Sequence, residues 1–199
     1  VHNEGGSNVQ ALLKRGNMAL EDGEWSKADE NFEQVLNQDA ECGAAYLGKF
    51  LASKNSKNAQ DFVQSYLSTI KANIPTAKSD AACPEDADFV KKCIDKYSVN
   101  PYFTEKDIRK LLTYDRFYCA NAASFLHRAV EAATELLAKD RNFARAEKYA
   151  TGDAKERCAN IRENLIDSLH SMENERRQYE KGEQNRITNA YHAFLHDAE

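Results

Sequence analysis

Small and bulky residues are placed along the first forty positions in a way that two helices satisfy only by lying against each other. Leu12, Gly16, Ala19-Leu20, Gly23, Trp25, Ala28, Phe32 and Val35 recur mostly at three- and four-residue intervals, the repeat of a single helix face. Gly16 and Ala28 are small where antiparallel helices must approach, and Leu12, Trp25 and Phe32 supply the bulk beside them. Gly23 falls where a tight turn needs a residue tolerant of left-handed dihedrals. The spacing predicts a helix from about Asn8 to Glu21, opened by the capping pattern of Ser7 and Gln10. It predicts a second helix from about Glu24 to Asn37, with Ala28 facing Gly16 across the pair.

The remaining sequence continues in helical periods. Three prolines and eight glycines among 199 residues, with few runs of alternating polarity, predict an all-α protein. Ala45, Tyr46, Gly48, Phe50 and Leu51 give a third helix after Asp39 and Glu41. A polar break over Ser53 to Asn58 then stands in place of its partner, followed by a short helix from Asp61 to Ile70. Loop-like text follows to Asn100, holding one short helix that starts at Pro84. Beyond Tyr102 the apolar positions Ile108, Leu111-Leu112, Cys119, Ala122, Phe125-Leu126, Ala129, Ala133 and Leu136 predict one helix over Thr104–Lys139, about 52 Å long. Residues 141–150 form a short amphipathic hook, which Thr151-Gly152 ends.

A last long helix carries Ala154, Cys158, Ile161, Leu165, Leu169 and Met172, then a nearly all-polar interval, then Ile187, Tyr191 and Phe194-Leu195. The two long helices are expected to form a coiled-coil-like antiparallel hairpin, with Phe125, Ala129, Ala133 and Leu136 against Cys158, Ile161, Leu165 and Leu169. Between Glu173 and Arg186 Tyr179 is the one clearly apolar side chain, and Gly182 weakens the helix by about 1 kcal/mol relative to Ala. The expected organisation is a linker at 1–8, leading from residues upstream, a helical domain at 9–100, and the hairpin with its hook at 101–199.

The segment LLKRGNMALEDGEWSKADENFEQVLNQDAECGAAYLGKF resembles the single tetratricopeptide unit of a group of bacterial proteins of unassigned activity, many from anaerobic gut Firmicutes. DRNFARAEKYATGDAKE, followed by a charged helix ending near AYHAFL, is similar to the second half of the same group. The resemblance implies one tetratricopeptide helix pair plus a partial repeat, and an upstream zinc ribbon in many relatives. Ala40 stands where most such repeats place proline. The resemblance brings no catalytic residues with it.

Binding is therefore the expected work. The first helix of a tetratricopeptide unit lines its groove, which here presents Gln10, Leu13, Asn17, Leu20 and Glu21 to a protein or peptide. Arg141, Arg145 and Lys148 share one face of the hook and form a candidate patch for an anion or acidic partner. Self-association of the hairpin into a homodimer is the alternative.

A net charge of −5 provides no global basic field for nucleic acid, and no apolar run reaches the ~18 residues that span a bilayer. No nucleophile elbow, phosphate loop or dinucleotide fingerprint is present, so neither an enzyme nor a cofactor is expected. His192 and His196 lie four apart beside Asp197 and Glu199, but they lack the further ligands of a metal site. Cys42, Cys83, Cys93, Cys119 and Cys158 contain no CxxC pair. They are expected to be reduced, as in a cytoplasmic protein.

Overall fold

A computed structural model of the chain describes residues 4–74 and 116–196, with side chains at 8–74, 122–182 and 185. Every regular element among the described residues is helical: α1 (Glu4–Glu21), α2 (Trp25–Leu36), α3 (Gly43–Ser53), α4 (Ala59–Ala72), α5 (Arg116–Lys139), α6 (Arg141–Tyr149) and α7 (Gly152–His196). The helix expected after Pro84, and the part of the Thr104–Lys139 helix before Arg116, lie outside the described residues. No helix among them is long and apolar enough to cross a membrane.

The chain divides into two compact units, one of residues 1–73 with 128–170 and one of 74–127 with 171–199. This differs from a division near residue 100. The reason is burial: the end of α5, all of α6 and the start of α7 place Ala133, Leu137, Phe143, Ala146, Ile161 and Leu165 in the same apolar cluster as α1 to α4. The hairpin's tip belongs with the N-terminal helices.

In the first unit, α1 starts at Glu4, earlier than the expected Asn8. It ends in a Schellman motif: Gly23 N–H donates to Leu20 O (3.1 Å), Glu24 N–H donates to Ala19 O (2.8 Å), and Gly23 sits at φ +75. The nearest atoms to a Cβ built on Gly16 belong to the Phe32 ring, at 2.5 to 2.9 Å, and not to Ala28. Ala28 is fully buried, but the bulky ring, reaching farther than a methyl group, takes the space above the glycine. A Cβ on Gly48 of α3 would strike the same ring. Phe32 is thus wedged between two helices that have each given up a side chain to admit it.

Beside the wedge, Lys49 Nζ bridges Asp29 (2.9 Å) and Glu33 (2.7 Å) of α2. Burial alone would lower the Lys49 pKa, but the hydrogen bonds to Glu33 and Asp29 outweigh it and hold the value above the ordinary one.

The turn into α3 forms without proline. Asp39 Oδ1 accepts from Glu41 N–H, and Ala40 O accepts from the Tyr46 hydroxyl at 3.1 Å. The polar hexapeptide Ser53–Asn58 is a pair of caps and does not replace a helix. Asn55, at φ +52, closes α3: its N–H donates to Ala52 O and the following Ser56 N–H donates to Leu51 O, and Asn58 Oδ1 caps Asp61 N–H at 2.9 Å. A full α4 of 14 residues follows, with Phe62 set edge-on to Phe50 at 5.0 Å.

The seam on α5 runs through Leu126, Ala129, Val130, Ala133 and Leu137, while Phe125 and Leu136 are half-buried. At Phe125-Leu126 and Leu136-Leu137 the buried position lies one residue later than expected, while Ala129 and Ala133 are buried as expected. On α7, Cys158, Ile161, Leu165 and Leu169 are buried, as their spacing predicts.

In the second unit, Ala122, Ala123 and Leu126 are buried on α5, and Glu173 of α7 is buried at 6% exposure. Tyr179 is 42% exposed, so it does not fill the polar interval. Helix α7 continues through Gly182, where an added Cβ would meet nothing within 4 Å.

The wedge predicts an inverted helix-propensity effect. Gly48→Ala should gain up to about 1 kcal/mol in helix propensity yet lose about 1–3 kcal/mol to overpacking, lowering the urea midpoint. In a Phe32→Leu background the same change should cost at least about 0.5 kcal/mol less. Equal costs in both backgrounds would place the clash elsewhere.

Candidate functional site

Two groups of residues in the first unit carry candidate binding chemistry. On α1 the buried stripe is Leu12, Gly16, Ala19 and Leu20. Leu20 is 1% exposed and therefore belongs to the core and not to a groove; it lies one turn beyond Gly16, on the stripe that meets Phe32. Leu13 is half-buried at the margin and packs on the core. Gln10, Asn17 and Glu21 are exposed, and at about 100° per residue they fall within about 40° of arc. Met18, which the sequence reading did not single out, is 52% exposed on the same helix. The helix therefore offers one polar strip, with Leu13 on one side and Met18 on the other.

The second group is on α6. Asp140 starts this helix by accepting from Asn142 N–H (3.0 Å) and Phe143 N–H (3.1 Å), and it pairs with Lys54, the residue that follows α3, at 3.0 Å. Phe143 is fully buried and lies 4.9 Å from Phe50. From α7, Arg162 makes a two-pronged bond to Glu147, both contacts at 2.8 Å. A Cβ on Gly43 would run into the backbone of Ala150, so α3 and the end of α6 touch main chain to main chain. Arg141, Arg145 and Lys148 all remain exposed. The Arg145 guanidinium lies 5.3 Å above the Tyr46 ring and Lys148 Nζ lies 4.7 Å above the Tyr149 ring, and the two rings stack at 6.1 Å. The three cations share the exposed side of α6, and Tyr46 and Tyr149, beneath two of them, are neighbours that sequence spacing did not reveal.

Both groups attach to α3, which packs on α1 and α2 and on α6. Cys158 is buried, and burial first, then the charge of Glu147, push its thiol up to about 11, with Arg157 opposing. It stays protonated near neutral pH. Cys42 is also free and half-buried; Cys83, Cys93 and Cys119 lie outside the described side chains, as do His192 and His196. No group of three or more His, Cys, Asp or Glu placed to hold a metal exists among the described residues.

Among the described residues the second unit contributes an ionic cluster. Glu173 Oε1 accepts from Arg177 Nε (2.9 Å) and Nη2 (2.7 Å) and lies 3.1 Å from His127 Nδ1 of α5. The sequence held one signal for it, the four-residue step from Glu173 to Arg177. The His127 partnership required the fold.

No protein-family model, curated protein or solved structure matches the chain.

Burial acts to raise the Glu173 carboxyl, but the bonds and charges of Arg177 and His127 prevail and hold it below its ordinary 4.5. A folded value depressed in this way stabilises the native state above the unfolded pKa, and the contribution is lost as pH falls through the folded one. The stability gap between the native chain and Glu173→Gln should be constant above about pH 5.5 and close progressively below about pH 4.5 in urea titrations. A gap that does not change with pH would show that the glutamate contributes by shape alone.

Proposed function

We propose that this chain is a non-catalytic protein-interaction scaffold, in which α1 to α3 act as a tetratricopeptide-like unit and the polar strip of α1 receives a peptide segment of another protein. The observation that carries this reading is the division of α1 into two faces. One is sealed by Phe32 against α2 and α3. The other presents Gln10, Asn17 and Glu21 between Leu13 and the half-exposed Met18. Amide and carboxylate groups can hydrogen-bond an incoming backbone, and Leu13 and Met18 can take apolar side chains. This is the mixed chemistry by which helical grooves grip short segments. Methionine suits such a role because its unbranched thioether adapts to varied shapes.

Support for the tetratricopeptide reading comes from the same elements. Gly16 and Gly48 admit Phe32, Gly23 closes the first helix at positive φ, and α3 follows α2 through a turn built on Asp39. These features keep the α1 face rigid, which lowers the ordering cost of binding.

Selection of a displayed peptide library on the full chain tests the reading. Enriched peptides should bind saturably, and an Asn17→Arg, Gln10→Glu double variant with an unaltered melting curve should weaken them about tenfold or more, about 1.4 kcal/mol. Peptides that bind both proteins equally, or no enrichment at all, would remove the α1 face from consideration.

A further inference from the structure

We propose that the outer face of α6 is a docking site for a short acidic segment of a partner protein, independent of the α1 strip. Arg141, Arg145 and Lys148 lie four and three residues apart. At about 100° per residue they occupy about 60° of arc, opposite the side through which Phe143 and Ala146 enter the core. The chain carries a net charge of −5, so this cluster is a local reversal of the molecule's sign.

The acids that would ordinarily neutralise such a cluster are committed elsewhere. Asp140 is held by Lys54, just past α3, and by the backbone N–H groups it caps. Glu147 is turned toward α7 by the two-pronged Arg162 contact. Among the described residues none of Arg141, Arg145 and Lys148 makes an ion pair. Two of the three cations are pre-positioned, since Arg145 lies on the Tyr46 ring and Lys148 on the Tyr149 ring. The Tyr46 hydroxyl is itself tied to Ala40 O. Cations resting on anchored rings lose less freedom when an anion arrives.

The size of the patch selects the partner. Seven residues of helix span about 10 Å, the length of about three residues of extended chain. Two or three carboxylates on one short segment therefore match it. A nucleic acid fits poorly, because affinity for it comes from neutralising many phosphates, three cations reach few of them, and the negative remainder of the chain repels the rest of its length.

Fluorescence anisotropy of labelled hexaglutamate with the full chain tests the proposal. Saturable binding is expected at about 50 mM salt, falling steeply by about 300 mM as the charges are screened. Arg141→Gln, Arg145→Gln and Lys148→Gln together should weaken it about tenfold or more, while Lys14→Gln on α1 leaves it unchanged. Carbodiimide coupling of the peptide to the unaltered chain supplies a readout that requires no variant, and Lys148 should be the principal site of linkage. Absence of saturable binding, linkage chiefly to other lysines, or tighter binding of a dodecathymidine strand than of hexaglutamate would each overturn the proposal.

Discussion

One aromatic ring sets the geometry of the first unit. Phe32 occupies a slot whose two walls are Gly16 and Gly48, and neither wall has room for a methyl group. This fixes α1, α2 and α3 at close approach, and Lys49 secures the arrangement from the side by bridging Asp29 and Glu33. With α3 immobilised, its opposite side becomes a template. Gly43 lets the backbone of Ala150 come against it, and Phe50 receives Phe62 from α4 and Phe143 from α6. An added carbon at Gly16 or Gly48 would press on the Phe32 ring and one at Gly43 on the Ala150 backbone, and close-packed interiors transmit such changes rather than absorb them.

Electrostatics then decides what each helix shows to solvent. Along Asp140 and α6 the two acids pair with Lys54 and Arg162 and the three bases are exposed, so a short segment with both signs becomes cationic on its outer face. Cation–ring contacts hold that arrangement without consuming the charge. In the second unit the same physics is turned inward. Glu173 is taken out of water, and Arg177 and His127 compensate it. A buried carboxylate is tolerated when its lone pairs and its charge are both answered.

Much of this was legible in the residues themselves. Period located α1, α2, α6 and α7, because that signal is local, although α1 starts at Glu4, ahead of the Ser7 and Gln10 pattern expected to open it. Gly23 was readable as a left-handed turn for the same reason. Three features were not. The polar run Ser53–Asn58 looked like a broken repeat because Asn55 and Asn58 serve as a C-terminal and an N-terminal cap, roles that composition alone does not distinguish from a loop. Leu20 was placed in a groove because an apolar residue next to a core stripe can face either way until the partner helix is fixed. The seam on α5 was offset at its adjacent apolar pairs, where Leu126 and Leu137 compete with Phe125 and Leu136 for a single inward position. At the candidate sites, the charged residues were visible and the aromatic platforms beneath two of them were not, since Tyr46 and Tyr149 are about a hundred positions apart.

The first unit is discontinuous in the chain, and this bears on how the protein assembles. During synthesis, residues 1–73 emerge with the far side of α3 uncovered, and 54 further positions (127 − 73) must follow before the segment that covers it, 128–170, begins. Helices α1 and α2 can pair at once because their contacts are local. The apolar surface of Phe50 and Phe62 has to wait for Phe143. Bringing together segments so far apart in sequence costs entropy that grows only slowly with their separation, but it makes non-local contact the slow step of folding. Until then the nascent chain presents an aromatic surface of the kind that chaperones recognise and that aggregation exploits.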